Sequence, residues 1–258
     1  MIEAWLNLPA AGVFAVLTLV YAGTAMAISY FAFGRRFRRL VARIDGIVPA
    51  YFGAVSVLFA LLTGFLAGDI GDRNRQASRA VQSEAGELRN VFTLSVASAS
   101  DMRSIRAAWT VYVKTAVADD WPAMAHGENA ASTNAAYDEL LREVSDPKIA
   151  VEAGAAVHAA LLTAAVRIGT ARSDRLALSS DRTNDLKWAI VIILGVMTQI
   201  SIGLVHLKRR GANVTALAVF SISVVFALGM LAMQERPFDG AFRISAAPVQ
   251  VLLKLQGP

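Results

Sequence analysis

The chain has 258 residues, of which 55% are hydrophobic and 17% charged, with a net charge of +5 and a mean hydropathy of +0.49. A soluble domain carries nearer a quarter charged residues, so a membrane class is the first expectation. There is no cysteine, which excludes disulfides, thiolate metal sites and cysteine nucleophiles.

Four stretches reach the roughly 20 predominantly apolar residues needed to cross a hydrocarbon layer as helices: 10–33, 47–68, 186–207 and 212–233. Glu3 precedes the first, and Arg35, Arg36, Arg38, Arg39 and Arg43 follow it. That is the reverse of a cleaved signal peptide's charge order, so the stretch reads as an uncleaved span entering amino terminus outward. Lys208, Arg209 and Arg210 fill the loop between spans three and four, on the same side as the arginine loop in a four-span arrangement. Dense Lys and Arg in short loops mark the cytoplasmic side. The expectation is a multi-pass protein of a bacterial inner membrane with both termini and the segment between spans two and three outside. The pI of about 9.8 does not indicate nucleic acid. Between residues 73 and 185 there are 13 Lys and Arg against 14 Asp and Glu, so the excess is a topology signal in the loops that also meets anionic lipid head groups.

On span two, Ser56, Ala60, Gly64 and Gly68 fall four apart, a row of small residues that lets helix backbones approach closely. The row serves either packing within the chain or a subunit contact or pore. Asp69, Asp72, Arg73 and Arg75 stand at the exit of the span. In a symmetric oligomer they form rings of charge at a pore mouth; otherwise they mark only where water begins.

After span two no proline occurs until Pro122, and uncharged residues step by four and three through Val81, Ala85, Leu88, Phe92, Ser95, Ala99, Met102, Trp109, Val113 and Ala116, with Arg106 as the one charge in the row. This predicts one amphipathic helix from 73 to about 118, reaching some 65–70 Å. Glu84 and Glu87 read as solvated positions on it. A loop at 119–127, with Pro122 and Gly127, and a short helix at 134–144 follow. Asp146-Pro147 then starts a second long helix running unbroken to about 207, with a stripe at Ala153, Val157, Leu161, Ala164, Ile168, Ala171 and Leu178. The architecture expected is all-α: spans one and two in 1–72, a helical hairpin stalk in 73–185 continuous with spans two and three, spans three and four in 186–234, and a tail in 235–258.

Span three carries Thr198, Gln199, Ser201 and His206. An amide near mid-bilayer, as Gln199 is, faces protein or water rather than lipid, and His206 reads as interfacial. Glu235-Arg236 reads as a weak interfacial ion pair. His126, His158 and His206 share no helical turn, and no phosphate loop, nucleophile elbow, kinase or zincin motif is present. No cofactor, metal or enzymatic activity is expected.

The chain resembles a bacterial membrane family of unknown function termed bestrophin-like. The likeness is carried by Asp45-Gly46, Ala50-Tyr51-Phe52-Gly53 and Leu58-Phe59-Ala60-Leu61-Leu62 at span two, and by Glu84-Ala85 with Leu88 beyond it. It continues through Arg172, Arg175-Leu176, Leu186 and Trp188 to Glu235-Arg236-Pro237-Phe238-Asp239-Gly240, Ile244-Ser245 and Pro248. Where that family often has a Trp after span two and a Pro before span three, this chain has Asp69-Ile70-Gly71 and Asn184-Asp185. The resemblance implies kinship with bestrophins, pentameric ion channels whose second span lines a pore with a hydrophobic neck. Phe52, Phe59 or Phe65 is the neck residue it implies here. It also implies a cytoplasmic helical domain, opposite to the side the arginine loops indicate.

The ion-pathway candidates are thus Phe52, Ser56, Phe59, Thr63, Asp69, Asp72 and Arg73, with Ala60, Gly64 and Gly68 for helix packing and Gln199 as the intramembrane polar residue. The function expected is a homo-oligomeric, ion-conducting membrane protein in contact with lipid and inorganic ions. The alternative is a non-conducting sensor or scaffold whose helical hairpin receives a ligand or partner.

Overall fold

A computed structural model describes residues 2–34, 48–98 and 100–256. Arg35, Arg36, Arg38, Arg39 and Arg43, with Asp45 and Gly46, lie outside the described residues. In chain order the helices are α1 (Ile2–Leu6), α2 (Ala10–Phe33), α3 (Val48–Ala97), α4 (Arg103–Thr115), a π-helical turn (Ala116–Asp120), α5 (Trp121–Ala125), α6 (Ala131–Val144), α7 (Lys148–Glu152), α8 (Ala155–Ser180), α9 (Asp185–Val205), α10 (Arg210–Ala232), α11 (Ala247–Gln250) and a 3-10 turn (Val251–Gln256). No strand occurs among the described residues. Four helices are long and apolar enough to cross a membrane: α2, the stretch Tyr51–Ala97, α9 and α10. The all-α, four-span expectation holds.

The chain divides into two compact units, one of Met1–Gly71 with Arg182–Glu235, the other of Asp72–Asp181 with Arg236–Pro258. Helix α3 belongs to both, its first part to the membrane unit and its second to the inserted unit. Residues from 236 onward, set apart as a tail by their sequence, pack with the inserted unit: Phe238, Val249 and Leu252 are in its core.

In the membrane unit, spans one, three and four (α2, α9 and α10) interlock. Val13, Leu17, Tyr21, Trp188, Val191, Val224 and Leu228 form the core, and Trp5 meets Trp188 edge to face at 5.4 Å. Span one seats aromatic side chains in glycine notches. A Cβ on Gly229 would lie 2.3 Å from a Phe14 ring carbon, and one on Gly195 only 2.2 Å from the Tyr21 hydroxyl. Neither position admits a side chain without displacing span one.

The inserted unit departs from the two long helices expected of it. Helix α3 ends at Ala97, so beyond Arg73 it extends only about 37 Å. Serine and aspartate side chains divert the backbone there: Ser98 Oγ accepts the Ser100 N–H at 3.3 Å and Asp101 Oδ1 accepts the Arg103 N–H at 3.1 Å. Helix α4 then packs back on α3, with Trp109 Nε1 donating to the Leu88 carbonyl at 2.8 Å and its ring 5.0 Å from Phe92. The expected loop at 119–127 is largely helical, a π turn followed by α5. The helix expected from 148 to 207 is broken twice. Gly154 adopts φ +91°, a conformation open to glycine and strained for other residues. Between α8 and α9, Asp181 is extended, and the Asn184 side chain caps α9 by accepting the Leu186 N–H at 2.8 Å.

Candidate functional site

Span two presents three strips. Val55, Leu66 and Ile70 are buried, and Phe59 packs on Phe220 with ring centroids 6.0 Å apart. Phe59 therefore faces its own chain. At about 100° per residue, Gly53, Val57, Ala60, Gly64 and Gly68 lie together on an exposed strip. A Cβ built on Gly53, Gly64 or Gly68 meets nothing within 4 Å. The small residues are thus not consumed by packing against the described residues of the chain. On one side of them stand Leu58, Leu61 and Phe65, the last 66% exposed. On the other stand Ser56 and Thr63, whose hydroxyl oxygens are covered yet have no hydrogen-bond partner. Elsewhere in the spans, Thr24, Thr198, Ser201 and Ser221 each bond back to a carbonyl of their own helix. Phe52 is half-buried.

The charges at the exit of the span are engaged one by one. Asp69 pairs with Lys187, and Asp72 pairs with Arg75 one turn ahead; both pairs are exposed to water. Arg73 is buried and reaches Asp181 at 3.3 Å. Glu235, far from being half of a weak surface pair with Arg236, is 1% exposed and accepts the Thr183 N–H at 2.6 Å and Trp188 Nε1 at 3.3 Å, while Arg236 turns to Asp239.

Gln199 faces protein and is fully buried. Its Nε2 donates to the Tyr21 carbonyl and to Ser221 Oγ, both at 2.8 Å, and its Oε1 accepts from Thr24. One amide thereby ties spans one, three and four. A turn or two nearer the basic loop, Asn213 joins Ser29 at 3.1 Å to the Gly203 carbonyl at 2.8 Å. His206 Nδ1 lies 2.9 Å from the Ile202 carbonyl oxygen.

The inserted unit holds a charge cluster in its core. Arg175 is fully buried, its Nε donating to Glu84 Oε2 at 2.7 Å and its Nη2 to Asp120 Oδ2 at 3.1 Å. Arg172 grips Asp120 through Nε at 2.8 Å and Nη2 at 3.0 Å. Glu84 Oε1 also accepts the Tyr112 hydroxyl at 2.6 Å, and Asp120 Oδ1 the Ala130 N–H at 3.0 Å. The π turn brings Asp120 inward to this meeting point. The guanidinium of Arg175 stacks 4.4 Å from the Trp121 ring centroid, and that ring in turn meets Phe238 and donates to the Ile244 carbonyl. Two carboxylates balance two guanidiniums, and both oxygens of each acid are used.

These contacts set the titration of the cluster. Burial works to raise the Asp120 carboxyl, but the bonds from Arg172 and the Ala130 N–H, with the charge of Arg175, hold it below its ordinary value. Burial pushes the Tyr112 phenol well up, and the neighbouring Glu84 charge adds to that. Burial alone would lower the Arg175 guanidinium, yet Glu84 beside it raises it.

Sequence reasoning placed Glu84 in solvent and gave Asp120 to a loop; both are fully buried. A signal was present: the stripe Ile168, Ala171, Leu178 skips the position that Arg175 occupies.

Fold and side-chain chemistry together define a helical multi-span membrane protein with a charge-stitched helical unit. Residues 6–249 match the Bestrophin-like domain, and the chain belongs to the bestrophin-like family. No curated protein matches it. Among solved structures, a bacterial bestrophin homolog from Klebsiella pneumoniae carrying a tryptophan-to-alanine substitution is 13% identical, with 98% of this chain and 100% of that one covered at a TM-score of 0.70. The same homolog solved by zinc phasing is 12% identical over 93% and 94% of the two chains, at 0.65. A structure described only as a membrane protein point variant is 12% identical over 95% and 99%, at 0.70. At such identities the likeness establishes the fold.

Proposed function

We propose that this chain is the protomer of a homo-oligomeric ion channel, with copies of span two surrounding the pathway. The observation that carries the reading is the strip of Gly53, Ala60, Gly64 and Gly68, which has no partner among the described residues. The exposed faces of the other spans bear bulky residues suited to lipid: Leu19, Met26 and Tyr30 on span one, Ile190 and Ile193 on span three, Val219, Ile222 and Phe226 on span four. A strip of small residues between bulky neighbours and two unpartnered hydroxyls suits close packing of copies around an axis better than contact with lipid. Phe52 and Phe65 remain as neck residues, while Phe59 is engaged by Phe220. Asp69 and Asp72, paired but exposed, would ring the mouth and bias ion preference.

Purified protein in planar bilayers tests this. Currents are expected, with a reversal potential in asymmetric salt shifted by Asp69→Asn and conductance reduced by Gly64→Leu. Gly64→Leu should leave the helix content of the protein unchanged, because a Cβ there meets nothing within 4 Å among the described residues. Silent bilayers from a monodisperse oligomer, or currents indifferent to both substitutions, would overturn the proposal.

The reading includes the orientation the basic loops imply, with termini and inserted unit outside. Because the chain has no cysteine, Ser145→Cys supplies a single thiol at an exposed site of that unit. Labelling by an impermeant maleimide on spheroplasts is expected; labelling only after lysis would invert the orientation.

A further inference from the structure

Spans one and four enclose a groove of about 730 Å³ along the surface of the membrane unit. Its middle is made of the small residues Ala22, Ala25 and Ala218, between Phe14 and Phe226 at one end and Tyr30 and Arg210 at the other. Sixteen residues separate Arg210 from Phe226, so the groove runs about 24 Å along the helix, most of the depth of a hydrocarbon core. Its walls offer almost no hydrogen bonds. The serine hydroxyls that border it are turned away, Ser29 to Asn213 and Ser221 to the Leu217 carbonyl, where it also receives Gln199.

One end breaks that pattern. Arg210 lines the mouth, with Arg209 beside it; both are exposed and neither forms an ion pair among the described residues. Tyr30, 70% exposed, stands at the same end, where an amphipathic ring marks the head-group level. An apolar channel as long as an acyl chain, closed by a guanidinium at the interface, matches an anionic phospholipid. Among the described residues a second copy of this chain offers no acid to meet that guanidinium. The acids described in the membrane unit, Asp69, Asp185 and Glu235, stand at the other ends of their spans and would not meet Arg210 across an axis normal to the membrane.

We propose that the groove between spans one and four is a phospholipid site. It holds one acyl chain, with Arg210 binding the phosphate of an anionic head group. The site does not depend on whether the protein conducts.

The test is lipid titration of detergent-washed protein followed by native mass spectrometry, using phosphatidylglycerol and phosphatidylcholine with the same chains. One phosphatidylglycerol per chain should bind ahead of phosphatidylcholine. Arg210→Gln should weaken phosphatidylglycerol about fivefold, leave phosphatidylcholine unchanged, and be largely rescued by Arg210→Lys. Ala218→Phe, which fills the groove, should weaken both lipids about tenfold or more while helix content and elution volume stay as in the parent. Equal binding of the two lipids, indifference to Arg210→Gln, or undiminished binding to a folded Ala218→Phe variant would each overturn the proposal. A change in copy number with Ala218→Phe, without lipid on the parent, would assign the groove to a subunit contact instead.

Discussion

The two units bury polar groups by different chemistry. Inside the membrane unit the polar contacts between spans are neutral: an amide, hydroxyls and carbonyls around Gln199, and a second set around Asn213 nearer the basic loop. Charges are kept to the ends of the spans. The inserted unit instead places two carboxylates and two guanidiniums in its core. Both clusters obey one requirement, that no polar group within them be left alone away from water. Helices surrounded by lipid meet it with dipoles. A unit assembled from segments that have water on one side can use full charges, provided they cancel.

The largest effect should come from unbalancing that cancellation. Arg175→Ala leaves Glu84 buried with only a phenol for company, and should destabilise the inserted unit by about 3–5 kcal/mol, read as a lowered thermal midpoint and faster proteolysis. The double substitution Glu84→Leu with Arg175→Met removes both charges and should be less destabilising than Arg175→Ala alone. If it is as harmful, charge balance is not what the cluster supplies.

Acid titration should act on the same unit. Asp120 titrates lower in the folded chain than in the unfolded one. Its contribution is therefore complete above the ordinary carboxylate range, near pH 4, and is lost as pH falls through that range toward the folded value. Unfolding of the inserted unit should show this acid limb, and Asp120→Asn should flatten it.

The smallest effect is expected in the membrane unit. Gln199→Leu should lower stability in lipid by about 1 kcal/mol, measured by unfolding in mixed micelles. Gln199→Glu should be worse than Gln199→Leu at neutral pH, since no guanidinium stands there to receive a charge. An equal or milder effect of the carboxylate would erase the distinction between the units.

Much of this fold was legible because hydropathy acts over long windows. The four spans announce themselves by length alone, and span one is bounded at Ala10 and Phe33 in both sequence and structure. The helix breaks were harder. Periodicity from Leu88 to Trp109 steps cleanly from the end of α3 at Ala97 to the start of α4 at Arg103, because the returning helix buries residues in nearly the same phase. The runs Ser98, Ser100, Asp101 and Ser179, Ser180, Asp181 were the local clue, since these side chains compete for backbone hydrogen bonds. The buried cluster was hidden for a different reason: one chain's sequence does not say which distant charge lies opposite Glu84, and charged residues on helices are mostly solvated. The small-residue row on span two was visible, but its lack of a partner is a property of the packed chain.

The place of residues 236 onward has a consequence for synthesis. Phe238, Val249 and Leu252 complete a core whose first contributions come from Ala77 and Val81. At roughly 5–20 residues per second, about 10–35 s of translation separates the two, and spans three and four are made in the interval. The inserted unit must wait through that time with an open apolar flank. A chaperone that shields this flank during synthesis would have its longest window of action there.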